Sequence, residues 1–352
     1  MRKEYISESL LWNERIWKQL QTGDNFISSA LLFGKKGLGK AHVSIQLARK
    51  ILGYDDVFFA ANHPDLHVLM PEDEILDTID SDEAEDISNS AIKLLALYGS
   101  RYIDDVKKPK KIISVEQVRR LIKQIVQHPH KSSHKVIIIK SADKMNVNSA
   151  NALLKILEEP PENTSFLLIV SQVERLPITI RSRCTHFHFR SPDKEIGLAW
   201  LSNKGVQQHI ESYLMMAGRA PLSAFSLSKT NEMENLRKIF TTINDLWRGQ
   251  MSAIDLAEQW KIHKEEDIFN HLSRFLFDLL KLKSIDKIDV GSSELFYPVQ
   301  KEWIAKIART VDFEKLCKTI DQLSEIKKLN ETPVDKLLLL EKVAISFEKL
   351  AA

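Results

Sequence analysis

A glycine-rich segment that ends in lysine is the part of the sequence whose spacing most directly indicates chemistry. The segment comprises Gly34, Gly37, Gly39 and Lys40. An apolar run at residues 30–33 precedes it, and a helical pattern over about residues 42–52 follows. In that context, backbone N–H groups and a helix N-terminus hold phosphates, and the lysine reaches the β- and γ-phosphate oxygens. The sequence therefore predicts a phosphate-binding loop.

The residues that should complete a site for ATP hydrolysis are missing. Such loops place Ser or Thr after the lysine because the hydroxyl binds Mg²⁺, whereas this chain has Ala41. The end of the apolar run at residues 136–139 should supply two acids, but Lys140 and Ser141 stand there, and Asp143 lies too far along. We therefore expect no intrinsic ATP hydrolysis. The loop backbone and its lysine still allow weak binding of ATP or ADP.

Strands and helices alternate in the first half of the chain. Strands are predicted at about residues 30–33, 66–70, 136–139, 166–170, 176–180 and 185–189. Helices are predicted at about residues 42–52, 114–126 and 149–159. The unbroken β-branched run at residues 136–139 is typical of a strand that is covered on both faces. Strand–helix–strand alternation predicts a parallel sheet with helices on both faces.

The second half has a different pattern, which is helical throughout. Helices are predicted at about residues 194–201, 207–216, 222–227, 236–247, 265–283, 294–310, 313–329 and 333–350. Gly218 and Pro221 mark a break within the first group. We interpret this half as a small helical domain up to about residue 230, followed by a larger helical bundle.

Composition excludes several classes of protein. The chain has 352 residues, which at roughly 150 residues per domain suggests two or three domains. Lys and Arg number 50 against 48 Asp and Glu, so the net charge of +2 argues against a uniformly basic nucleic-acid binder. With two cysteines there is no disulfide framework, and no segment approaches the roughly 18 apolar residues of a membrane span. No apolar stretch follows the first residues, so no secretory signal is expected. These features predict a cytoplasmic protein.

Two charged runs interrupt the first half. Nine acidic residues and no basic one lie between residues 72 and 86, and four lysines lie within residues 107–111. They are interpreted either as a regulatory acidic loop and a phosphate-binding patch, or as a solvated surface insertion. We favour the surface insertion, because blocks of like charge do not pack.

The segment from residue 140 to residue 184 carries a family resemblance. Residues 151–161 read Asn-Ala-Leu-Leu-Lys-Ile-Leu-Glu-Glu-Pro-Pro, and residues 181–184 read Arg-Ser-Arg-Cys. This resembles the clamp-loader branch of the AAA+ ATPases. Ala41, the missing acids and residues 141–145 are similar to the delta prime branch of that family, from bacterial DNA polymerase III. Residues 218–221 resemble the lid segment, and residues 330–343 are the best local match in the collar.

The resemblance implies a fold that combines an α/β part and an all-α part. A RecA-like AAA+ P-loop domain with a parallel sheet and a degenerate ATP site would span residues 1–190. A small helical lid domain would span residues 191–230, and a helical collar for oligomerisation would span residues 231–352.

The resemblance also implies a function. Delta prime members act as stators, which assemble with delta and with the motor subunits gamma/tau. No membrane is expected among the partners. The assembly opens the β sliding clamp and places it on primer–template DNA, as part of the DNA-directed DNA polymerase III holoenzyme, a nucleotidyltransferase complex. The stator contributes an arginine in trans to a neighbouring ATP site, where it stabilises charge on the transferring phosphoryl group. By resemblance this residue is Arg183, flanked by Ser182 and Cys184, and Arg181 is the competing candidate.

Two other functions are compatible with parts of the sequence. A motor ATPase resembling gamma/tau is the main alternative, and Ala41 and the absent acids argue against it. A stand-alone nucleotide-dependent DNA-binding protein is the other. The near-zero net charge and the lack of a combined aromatic and basic motif argue against that protein.

No metal site is predicted. Many family members hold a structural Zn²⁺ with four cysteines, but the corresponding stretch, about residues 51–63, contains none. The histidines that could suggest a metal are His128, His130, His134, His186 and His188. We interpret the turn that holds the first three as surface, expect no metal at His186 and His188, which lie on one strand face, and expect no cofactor to be required.

Overall fold

The computed structural model describes residues 10–21, 27–53, 63–79, 87–103, 109–126, 129–262, 265–284, 295–330, 332 and 334–351. The chain divides into two compact units. The first combines Met1–Gly197 with Ala220–Ser223, and the second combines Leu198–Arg219 with Ala224–Ala352. Separate lid and collar domains within the second half stay a prediction.

The first unit is built on a parallel five-stranded sheet. Its strands are β1 (Ser29–Phe33), β2 (Leu66–Leu69), β3 (Lys135–Lys140), β4 (Thr164–Val170) and β5 (Thr185–His188), in the order β2-β3-β4-β1-β5. Every neighbouring pair is parallel. All seven residues of β4, the central strand of the sheet, are buried. The predicted parallel α/β sheet is confirmed.

Helices cover both faces of this sheet. They are α1 (Glu14–Gln21), α2 (Lys40–Leu52), α3 (Glu72–Ile79), α4 (Ile87–Gly99), α5 (Val115–Ile125), α6 (Val147–Glu158) and α7 (Ile178–Arg181). The next helix along the chain, α8 (Lys194–Asn203), begins in the first unit and ends in the second. Side chains alternate along a strand, so Leu32 joins the core beneath α1, α2 and α4, while Leu31 joins the core beneath α5 and α6. Each face of the sheet therefore has its own apolar core.

One predicted strand, at residues 176–180, is wrong. A 3₁₀ turn at Val173–Arg175 and the single helical turn α7 occupy this stretch. Apolar residues alternate at positions 176, 178 and 180, which suggested a strand, but Leu176 and Ile180 are buried while Ile178 is 66% exposed. Burial of every fourth residue is the helical period, and Pro177, with φ −53°, leads into the turn.

The second unit is helical, with no strand among its described residues. Its helices are α9 (Ile210–Met216), α10 (Pro221–Ser228, which begins in the first unit), α11 (Glu232–Trp247), α12 (Ala253–Trp260), α13 (Glu265–Ser284), α14 (Lys301–Thr310), α15 (Phe313–Leu329) and α16 (Lys336–Ala351). The predicted all-α part is confirmed, although α12 was not predicted. None of the described helices is long and apolar enough to span a bilayer. The cytoplasmic location stays a prediction.

The helix predicted at residues 294–310 is too long at its N-terminal end. Helix α14 begins at Lys301, after a 3₁₀ turn at Pro298–Gln300. The buried carboxylate of Asp278 accepts the backbone N–H groups of Phe296 and Tyr297, each at 2.9 Å. These long-range hydrogen bonds hold the segment before Pro298 outside the helix.

Candidate functional site

The predicted phosphate loop lies in the turn between β1 and α2. Gly37 and Gly39 have φ of 82° and 90°, in the region that favours glycine, and Gly39 caps the N-terminus of α2. A methyl group on Gly37 would collide with Ser223, and one on Gly39 would collide with Leu10 and Asn13. Glycine is therefore required at both positions, for backbone conformation and because other segments of the first unit pack directly against the loop.

The loop lysine is folded back onto the loop itself. Lys40 Nζ donates to the carbonyl oxygens of Gly34 and Lys35, at 2.5 Å and 2.7 Å, and the residue is only 6% exposed. Burial lowers the pKa of Lys40 to about 8, with nearby Asp143 opposing that shift. Two of the three N–H groups of this ammonium are thus bound to backbone, so a phosphate would have to compete with those carbonyls.

Two segments cover the loop. The indole N–H of Trp12 and the side-chain amide of Asn13 donate to Leu38 O, at 3.0 Å and 2.8 Å. From the other segment, the backbone N–H of Leu222 donates to Gly37 O at 3.2 Å. The carbonyl groups of the loop are therefore engaged by the protein's own residues.

A cluster of charged side chains occupies the end of β3, where nucleotide hydrolases place their metal-binding acids. Glu74 of α3 forms ion pairs with Lys140 and with Lys144, the latter at 2.9 Å, and accepts the Ser141 hydroxyl at 3.0 Å. Burial alone would raise the pKa of Glu74, but the two ammonium groups lower it to about 2. Asp143 accepts the backbone N–H groups of residues 171 and 172. The carboxylates of Glu74 and Asp143 are therefore both bound by groups of the protein itself.

Glu74 was missed in the sequence analysis because it belongs to the acidic run that we interpreted as a solvated insertion. For residues 72–79 that interpretation is wrong, since they form α3, in which Glu72 is buried and accepts the N–H of Lys110 at 2.9 Å. Glu72 and Glu74 can pack here because each has a partner far along the chain. Residues 80–86 of the acidic run, and Lys107 and Lys108 of the basic run, lie outside the described residues.

The predicted arginine, Arg183, lies at the surface just after α7. Its Nη1 donates to Thr179 O at 2.7 Å and its Nη2 donates to Glu158 Oε1. Arg181 is the less exposed of the two candidate arginines, and its Nε is buried. Burial raises the pKa of the Cys184 thiol to about 11, so this thiol is neutral at physiological pH. Arg183 is therefore the more exposed of the two candidates.

Comparison with known families accounts for both units. The family model described as "DNA polymerase III, delta subunit" matches residues 12–193, which is more than half of the chain. The chain belongs to this family. A second model, "DNA polymerase III, delta subunit, C terminal", matches residues 230–349. The resemblance seen in the sequence is thereby confirmed.

Individual curated proteins and solved structures are similar to this chain. A DNA polymerase III subunit delta' from Pseudomonas aeruginosa is 27% identical, over 96% of this chain and 97% of the relative. A subunit gamma from Buchnera aphidicola subsp. Schizaphis graminum is 47% identical over 62% of this chain and 60% of the relative. Among solved structures, a DNA polymerase III gamma subunit-related protein from Thermotoga maritima aligns with a TM-score of 0.48 and 16% identity, over 96% of this chain and 99% of that chain.

The described histidines of this delta-family chain lie in separate environments. The ring of His186 contacts Arg181 O at 2.8 Å, and the ring of His188 stacks on Phe33 at 4.6 Å. Within the described ranges, no three His, Cys, Asp or Glu side chains are close enough together to hold a metal. His128 lies outside those ranges. The absence of zinc stays a prediction.

Proposed function

We propose that this chain is a non-hydrolysing stator of the DNA polymerase III clamp loader, which supplies Arg183 in trans to the ATP site of a neighbouring motor subunit. The observation that carries the proposal is the contrast between a phosphate loop whose lysine and carbonyl groups are bound by its own protein and an exposed arginine in the family's motif. In this role the chain helps to load the β sliding clamp onto primed DNA.

The argument against hydrolysis rests on charge at the metal position. Where a hydrolase would hold Mg²⁺ between carboxylates, this chain has Lys140 and Lys144 paired with Glu74. Two ammonium groups repel a divalent cation, and Ala41 offers no hydroxyl to bind it. The lysine of the loop already donates to loop carbonyls. The chain thus requires no nucleotide, and any ATP or ADP would bind weakly.

The argument for Arg183 rests on accessibility and charge. Its guanidinium is always protonated, and its fork of N–H groups matches phosphate oxygens. About a third of the side chain is exposed, 34%, which leaves it within reach of a neighbouring subunit. An arginine placed against a transferring phosphoryl group accelerates hydrolysis by about 10³–10⁵ in GTPases.

The proposed partners follow from the family. They are the clamp-loader subunits delta and gamma/tau, with the β sliding clamp and primer–template DNA contacted through the complex. Since one relative is a gamma subunit, an active motor ATPase is the second candidate function. Measurable ATP turnover by the purified chain would favour that function over the stator.

The deciding experiment compares ATPase rates of clamp loaders assembled with the wild-type chain, Arg183→Ala or Arg181→Ala. The stator proposal expects no turnover by the isolated chain and a clear loss of motor ATPase with Arg183→Ala. A loss with Arg181→Ala alone would transfer the role to that residue.

A further inference from the structure

We infer that Glu158 is a positioning residue that orients Arg183 toward the ATP bound by the neighbouring subunit. This inference rests on the proposed function, because it concerns how the same arginine is presented. Nothing in the family match assigns a role to Glu158.

The geometry places Arg183 between two fixed acceptors. Glu158 is the last residue of α6, and its carboxylate accepts from Nη2. The carbonyl of Thr179, in α7, accepts from Nη1 at 2.7 Å. Helices α6 and α7 both contribute to the same apolar core, through Leu157 and Ile180. The guanidinium is therefore attached to two elements that are themselves held by the core.

Folding stability does not explain this ion pair. Both side chains are partly exposed, 34% for Arg183 and 48% for Glu158, and exposed pairs contribute little to stability. A carboxylate in the last turn of a helix also faces the negative end of the helix dipole, which is unfavourable. An acid at this place is better explained by what it does to Arg183 than by what it does to α6.

The pair leaves the arginine able to bind phosphate. A guanidinium has five N–H donors, and the two contacts described use two of them. An unrestrained arginine side chain samples many rotamers, whereas two anchors select those that keep the fork in one place. Since catalysis by a positioned group is sensitive to displacements of about 1 Å, the anchors raise the fraction of time in which Arg183 is correctly placed.

The test uses clamp loaders assembled with Glu158→Ala and, as the matched control, Glu159→Ala, which removes the adjacent exposed carboxylate. We expect Glu158→Ala to lower kcat at the adjacent ATP site about tenfold, measured as a partial fall in total ATPase, with the KM for ATP unchanged. Glu159→Ala should behave as wild type, and both variants should keep the wild-type melting temperature. Glu158→Gln, which keeps an oxygen acceptor, should recover part of the loss.

A double variant shows whether Glu158 acts through Arg183. In the Arg183→Ala background, Glu158→Ala should cause no further loss, because there is no guanidinium left to orient. An additional loss in the double variant would overturn the inference while leaving the stator proposal intact. So would a Glu158→Ala single variant whose kcat equals that of Glu159→Ala or exceeds that of the wild type. An unchanged ATPase in Arg183→Ala alone would instead overturn the stator proposal and this inference with it.

Discussion

The phosphate loop and the Arg183 surface belong to the same unit, yet they have opposite relations to solvent. Lys40 is 6% exposed and donates to the loop it belongs to. The Arg183 side chain is 34% exposed and is held by Glu158 and Thr179 at the surface. One cation has been withdrawn into the protein and the other is presented outward. Under the proposed function, the chain has lost its own nucleotide site and has retained a group that serves another subunit.

The largest effect is expected at the outward-facing site. Arg183→Ala should slow the ATP site of the adjacent motor subunit by about 10³-fold, since it removes the charge that stabilises the transferring phosphoryl group. The other motor sites should stay competent, so total ATPase should fall less than clamp loading, measured on primed DNA. Unchanged clamp loading would show that Arg183 does not serve a neighbouring subunit.

The charge cluster at the end of β3 should contribute to stability. Glu74→Ala leaves Lys140 and Lys144 close together without their shared carboxylate, which should lower the free energy of unfolding by about 2–3 kcal/mol. Denaturant unfolding measures this effect. Asp77→Ala, which removes an exposed acid of the same helix, is the control and should have little effect. Equal stability of both variants would mean that Glu74 is not needed to neutralise Lys140 and Lys144 at the end of β3.

The stability of the folded chain at acid pH should also depend on the Glu74 carboxylate. The pKa of Glu74 is about 2 in the folded chain against an ordinary value of 4.5. Its contribution to stability is therefore complete above pH 4.5 and is lost as the pH falls toward 2. Unfolding measured through this range should show a smaller acid-dependent loss in Glu74→Gln than in the wild type. Parallel pH profiles would contradict the ion-pair assignment.

The smallest effect on function is expected from substitution of Lys40, the buried lysine of the phosphate loop. Lys40→Ala removes two hydrogen bonds to loop carbonyls and should cost about 1 kcal/mol of stability. Clamp loading should stay close to wild type, because under the proposed function no hydrolysis depends on this lysine. The same substitution in the phosphate loop of a motor subunit serves as the positive control. A loss of loading by orders of magnitude would show that the loop is still in use.

Local sequence patterns were sufficient to predict most strands of the sheet. In the candidate site they were sufficient for the phosphate loop, but not for Glu74 or Glu158. The β-branched run at residues 136–139 lies in a fully covered strand, and the glycine spacing lies in the turn before α2. Residues 176–180 were misassigned because three alternating apolar residues fit a strand as well as a turn of helix, and burial of the first and third residues distinguishes the two only in the folded chain.

The sequence by itself determined the family, the parallel sheet, the helical second half, the loss of the metal-binding acids and the presence of the Arg-Ser-Arg-Cys motif. Only the tertiary structure brought Glu74 to Lys140, 66 residues away, and Glu158 to Arg183, 25 residues away. Strands and glycine turns follow from preferences of neighbouring residues. The partner of a charged side chain depends on which distant elements pack together, and that is decided by burial of the two cores rather than by any local signal.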